Sequence, residues 1–217
     1  MRSRKKSDII FTLEPILIDK NALDYTLTPV KSKEESPRLK KITEEWCVFW
    51  SKKYDCEHPW WTNVEKQIGE KIRKEGKFGK ETLNLIVHWK FLTLPGREKR
   101  VKNLLEVHSE EDVLRISSST FSIPRFEDRK RVQNLRKLNG IGVALASTIL
   151  TFYDPTNYCV FDMHVMRETY ESFPKHIFTT PKYYLNLLWD LRQVSKRVHL
   201  PVRTVEKALF MKNMIHG

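Results

Sequence analysis

From Ser36 to the C-terminus, apolar residues recur at three- and four-residue steps, the period of helices with one buried face. Ser36-Pro37 reads as an N-cap followed by proline at the first helical position. Leu39, Ile42, Trp46, Phe49 and Trp50 form the predicted buried face behind it. Thr62-Asn63-Val64-Glu65 fits a capping box, with Val64, Ile68 and Ile72 continuing the stripe and Gly76 as its stop. Residues 81–91 predict another helix, with Leu83, Ile86 and either Trp89 or Lys90 on its faces. Residues 97–107 and 110–116 predict two more, the second capped by Ser109 with acidic residues in its first turn. Pro124 opens a basic helix over 125–138. Near the end, Thr180-Pro181 opens a helix striped by Tyr184, Leu187, Leu188 and Leu191. Pro201 and Thr204 open the last, with Val205, Ala208 and Leu209.

Before Ser36 the pattern changes. Residues 9–18 are apolar and β-branched around Pro15, which fits a short strand or an extended arm, and residues 21–35 are polar and irregular. The chain therefore reads as all-α: a helical domain over 37–217, preceded by an extension over 1–36 with a possible small β element. There is no internal repeat and no low-complexity tract.

The stretch over 135–170, LRKLNGIGVALASTILTFYDPTNYCVFDMHVMRETY, carries the chemistry. A tight turn at Leu138-Asn139-Gly140-Ile141-Gly142 joins the basic helix to an alanine-containing one. Its glycines allow φ > 0 or close approach of a partner to the backbone. A turn that opens a helix aims free N–H groups at one spot, a seat for a phosphate. Pro155 ends the second helix, and the apolar run over 158–161 leads to Asp162, where a third helix starts. Asp162 is open to two readings: an ordinary N-cap, or a carboxylate placed for catalysis.

Leu138-Asn139-Gly140-Ile141-Gly142 resembles the L-P-G-[VI]-G hairpin of the helix-hairpin-helix DNA glycosylase superfamily, the endonuclease III-like proteins. Phe161-Asp162-Met163-His164-Val165-Met166-Arg167 resembles their V-D-x-H-[VIM]-x-R segment. The likeness is strong over 135–170, with a hairpin at 135–152 and a catalytic segment at 160–170, and extends plausibly over 41–135. It implies a helical bundle and base-excision repair. The enzyme would flip a modified or mispaired base out of double-stranded DNA and hydrolyse its N-glycosidic bond. Asp162 would stabilise the oxocarbenium and activate water.

The resemblance also assigns lesser roles. Asn139, Gly140, Ile141, Gly142, Val143 and Ala144 would contact DNA at the hairpin, with His164 on the backbone and Arg167 supporting either Asp162 or a phosphate. Carbonyls of Arg136, Leu138 and Ile141 would hold a monovalent cation, potassium or sodium. One of His88, Trp89 and Lys90 would reach the base pocket, the register being undetermined. Two departures matter. Asn139 replaces the family proline. Ala144 stands where bifunctional members carry a lysine, which excludes a Schiff base from that position and points to the monofunctional branch. A lyase using another lysine, for instance Lys90, stays open, as does a non-catalytic DNA-binding protein that kept only the hairpin.

Charge agrees with a polyanionic partner: the formal net charge is +12 and the pI about 9.6. Arg129, Lys130, Arg131, Arg136 and Lys137 crowd the helix before the hairpin, either as DNA contacts or as a solvated face. The three cysteines, Cys47, Cys56 and Cys159, are scattered, so no disulfide framework is expected. None follows Cys159, so the iron–sulfur cluster of some family members cannot be built, and no cofactor is required. No run is apolar enough to span a membrane and no signal peptide is read. The expectation is a monomer, cytoplasmic and nucleoid-associated in a prokaryote or nuclear in a eukaryote.

Overall fold

The computed structural model describes residues 36–217 except Lys175. The expected strand or arm at 9–18 lies outside the described residues. Among those described, eleven α-helices follow one another with no strand. They are α1 Pro37–Lys40, α2 Glu44–Glu57, α3 Pro59–Glu75, α4 Lys80–Phe91, α5 Pro95–Leu105, α6 Glu110–Ser122, α7 Asp128–Leu135, α8 Val143–Tyr153, α9 Met163–Thr169, α10 Pro181–Val198 and α11 Val202–His216. A 3-10 turn, Ile177–Thr179, precedes α10. The class is all-α, as the periodicity predicts.

The centre of the body is α8. Apart from Ala144, its residues from Val143 to Phe152 are buried, as a helix that is apolar on all sides requires. Its hydroxyls are absorbed internally: Ser147 and Thr148 donate to the Ala144 carbonyl, and Thr151 donates to the Ser147 carbonyl. α3, α4, α7 and α10 pack around it. α11 packs along α2 and α9 and closes the other side.

Caps and stops follow the sequence in places. Ser109 and Asp112 form a reciprocal capping box on α6. Gly76 ends α3 in the left-handed conformation at φ 65°.

Elsewhere tertiary contacts decide. The first helical stretch is broken: α1 stops at Lys40, and Thr43 caps α2 by accepting from the Trp46 amide. The face of α2 that is buried holds Cys47, Ser51 and Tyr54, while Phe49 is 60% exposed. The expected capping box at Thr62–Glu65 does not form, because α3 begins earlier, at Pro59. Thr62 donates to Asp55 instead, and buried Glu65 pairs with Arg203. The helix before the hairpin starts at Asp128, one turn after Pro124. On it, Arg131 is buried and donates to the carbonyls of Ile123 and Phe121 and to the Tyr158 hydroxyl. It is a core strut, not part of a basic face. Arg136 and Lys137 are exposed.

Candidate active site

The α7–α8 turn is built from its own backbone. Leu138 donates to the Leu135 carbonyl, Ile141 to the Leu138 carbonyl at 3.0 Å, and Gly142 to the Gly140 carbonyl at 3.2 Å. Gly140 sits at φ +92°, and a Cβ there would lie 3.1 Å from Val101 O and Leu104 Cβ of α5. Both facts require glycine. Gly142 differs: its φ is −81°, and nothing lies within 4 Å of where its Cβ would be. It faces open ground.

The phosphate seat is narrower than the sequence suggests. The Asn139 amide donates to His108 Nε2 at 2.7 Å, and the amides of Ile141 and Gly142 are spent inside the turn. Val143 and Ala144, in the first turn of α8, are left with no side-chain cap above them. Of the three carbonyls expected to hold a cation, those of Arg136, Leu138 and Ile141, the Leu138 carbonyl also accepts the Ile141 amide, which leaves it a second lone pair.

The turn and the carboxylate are joined through α8. The buried run Tyr158-Cys159-Val160-Phe161 passes beside it, and the Phe161 amide donates to Ser147 Oγ at 2.8 Å. The next residue, Asp162, is thereby fixed at the start of α9. It is the helix N-cap: Oδ1 accepts the His164 amide at 3.0 Å. Its other oxygen, Oδ2, accepts from Lys90 Nζ of α4 at 3.0 Å. Lys90 Nζ also lies 3.4 Å from the Phe161 carbonyl. The Asp162 side chain keeps 24% of its surface exposed, so it is not sealed in. Burial pushes its pKa up. The Lys90 charge, the His164 amide and the Lys90 hydrogen bond outweigh burial and hold the carboxyl below its ordinary value.

The register left open over 88–90 is now fixed. Lys90 reaches Asp162. Trp89 is buried; its Nε1 donates to the Trp61 carbonyl and its ring meets Phe152 edge-on. His88 faces away from the carboxylate's partner, bonding Glu98 through Nδ1 at 3.0 Å and meeting Trp60 edge-on.

His164 stands beside Asp162, with Nδ1 3.0 Å from Asn213 Oδ1 and its ring 5.2 Å from that of Phe210. Arg167 is exposed at the far end of α9, where its carbonyl accepts from Arg38. The cation that supports Asp162 is therefore Lys90 rather than Arg167. The sequence offered Lys90 only as one of three neighbours; a helix register error of one residue would have replaced it.

Two surface depressions, of about 270 and 430 Å³, lie elsewhere. Arg73, Arg125 and Asp154 line the first, and Arg38, Arg167 and Tyr170 the second; neither is lined by Asp162. No group of three His, Cys, Asp or Glu side chains able to hold a metal occurs among the described residues. No described helix is long and apolar enough to cross a membrane. Comparison with protein-family models, curated proteins and solved structures gives no match.

Proposed function

We propose that this chain is a DNA glycosylase that excises a modified or mispaired base from duplex DNA by hydrolysis. The observation that carries this reading is Asp162, partly exposed at a helix start and kept ionised by Lys90 and the His164 amide. Departure of a base builds positive charge on the deoxyribose. A fixed carboxylate lowers the energy of that charge and orients the attacking water. The open ground at Gly142 and the first amides of α8 receive a phosphate of the same strand. The net charge of +12 supplies the general attraction to DNA. Release of free base from lesion-bearing duplexes, measured against Asp162→Asn, tests the reading.

Two specific observations favour other readings. The amine of Lys90, 3.0 Å from the carboxylate, favours a lyase step in which it condenses with the abasic aldehyde. Borohydride trapping of a covalent adduct, absent in Lys90→Gln, tests that. The placement of both depressions away from Asp162 favours a DNA-binding protein without catalysis. Salt-sensitive duplex binding with no base released from any lesion is the result that reading requires.

A further inference from the structure

Lys90 serves Asp162, which leaves Arg167 with no partner at the carboxylate. Arg167 is exposed, and among the described residues nothing pairs with its guanidinium; its carbonyl accepts from Arg38 Nη1 at 2.9 Å. Around it Arg38, Arg167, Tyr170, Glu171, Ser172 and Phe173 line a shallow depression of about 430 Å³. Tyr170 and Phe173 are partly buried. The Tyr170 hydroxyl donates to Asp190, which holds that ring in place, and Phe173 packs against the core. Two guanidiniums and two fixed rings therefore share one hollow.

One face of α9 joins this hollow to the carboxylate. Met163, Arg167 and Tyr170 are spaced i, i+4, i+7, so they lie on the same side of the helix, and none of them is fully buried. Met163 directly follows Asp162, the N-cap, while Tyr170 is the C-cap. The rise between the two caps is roughly 12 Å. The carbonyl end of a helix disfavours an anion. Here the Arg167 carbonyl is covered by Arg38 and the Thr169 carbonyl by the Ser36 hydroxyl at 2.7 Å. Arginine N–H groups rather than bare carbonyls thus line this end, with Glu171 as the opposing charge.

We infer that this depression seats an unpaired nucleotide of the strand engaged at Asp162, close to the one at the carboxylate. The inference rests on the glycosylase reading and adds to it a preference for distorted DNA beside the target. Arg38 and Arg167 take the phosphate with their forked N–H groups, and Phe173 and Tyr170 meet the base. A base inside a paired stack has both faces covered, so the hollow selects a bulged or gapped flank over a paired one. An aliphatic anion would use the guanidiniums and leave the rings idle.

The test uses the full chain and a duplex carrying a tetrahydrofuran abasic analogue. Its neighbours on either side are paired bases or one or two unpaired 5-iodouracils. Anisotropy should show roughly tenfold tighter binding when one flank is unpaired, the order expected from one stacked base. Irradiation should crosslink the unpaired base to Tyr170 or Phe173, mapped by mass spectrometry. Phe173→Leu, which stays apolar but loses the flat ring, should melt close to wild type and lose most of the preference. Arg167→Gln should flatten the slope of log affinity against log salt by about 0.7 on the unpaired-flank duplex. Glu171→Gln should tighten binding to it, a change that no folding defect produces. Equal affinity for paired and unpaired flanks, or crosslinks mapping away from the hollow, overturns the inference even if bases are excised. The preference and the crosslinks without base release from any lesion uphold the site and overturn the enzymatic reading instead.

Discussion

Lys90 Nζ lies 3.0 Å from Asp162 Oδ2, bridging α4 and α9 across a sequence separation of 72 residues. The pair sets the protonation state of the one carboxylate that both the sequence motif and the helix cap single out. With Lys90 removed, burial of Asp162 is opposed only by the His164 amide and the more distant His164 charge. Lys90→Gln is therefore expected to raise the pKa of Asp162. The acid limb of the pH–rate profile should move to higher pH, while the rate on the plateau falls. An unshifted acid limb would remove Lys90 from the electrostatics of the site.

The same pair links stability to pH. The folded-state pKa of Asp162 is depressed, so its contribution is complete above the ordinary carboxylate pKa of about 4. It is lost as pH falls through the lower folded value. Denaturant midpoints measured down through this acid range should converge for wild type and Lys90→Gln, and should separate above it.

Capping and the proposed catalysis at Asp162 are separable by substitution. Asparagine caps a helix about as well as aspartate but loses the Lys90 ion pair, so Asp162→Asn should melt between wild type and Asp162→Ala. Asp162→Ala removes the acceptor for the His164 amide and should cost about 1 kcal/mol. Urea midpoints of the three proteins decide this; an asparagine variant as unstable as the alanine one would mean that the Lys90 ion pair, not the cap, holds α9.

The two turn glycines should answer differently to alanine. Gly140→Ala forces a side chain into φ +92° and against Val101 and Leu104, and should destabilise by more than about 1 kcal/mol. Gly142→Ala has ordinary backbone angles and free space, so its melting temperature should hold. On the proposed reading its methyl would stand where a phosphate approaches, and duplex affinity should drop. Calorimetry and fluorescence anisotropy on the two variants check this. Unchanged DNA affinity in Gly142→Ala would show that the turn does not contact the strand.

Away from the site, Arg203 is buried between Glu65, at 2.7 Å, and Glu206, to which it also bonds. Arg203→Met leaves two buried carboxylates unpaired, a loss of roughly 3–5 kcal/mol. A fall of roughly 10 °C in melting temperature is expected for a chain of this length.

The sequence exposed those features that local chemistry decides. The Ser109 capping box, the Gly76 stop and Asp162 at the head of α9 all depend on residues within one helical turn. It misled where distant contacts decide. Thr62 and Glu65 had the spacing of a cap, but their partners, Asp55 and Arg203, lie on α2 and α11. Arg131 looked like one more surface cation until Ile123, Phe121 and Tyr158 claimed its guanidinium. Lys90 could not be chosen over His88 or Trp89, because a step of one residue along α4 turns a side chain by about 100°.

The most direct measurement is base release from a panel of lesion-bearing and mismatched duplexes by the wild type and by Asp162→Asn. The account predicts that the wild type frees a base from at least one duplex and leaves an abasic site. The asparagine variant, folded and still binding DNA, should be slower by at least about a hundredfold. Release at the wild-type rate by Asp162→Asn, or no release from any duplex by either protein, would contradict it.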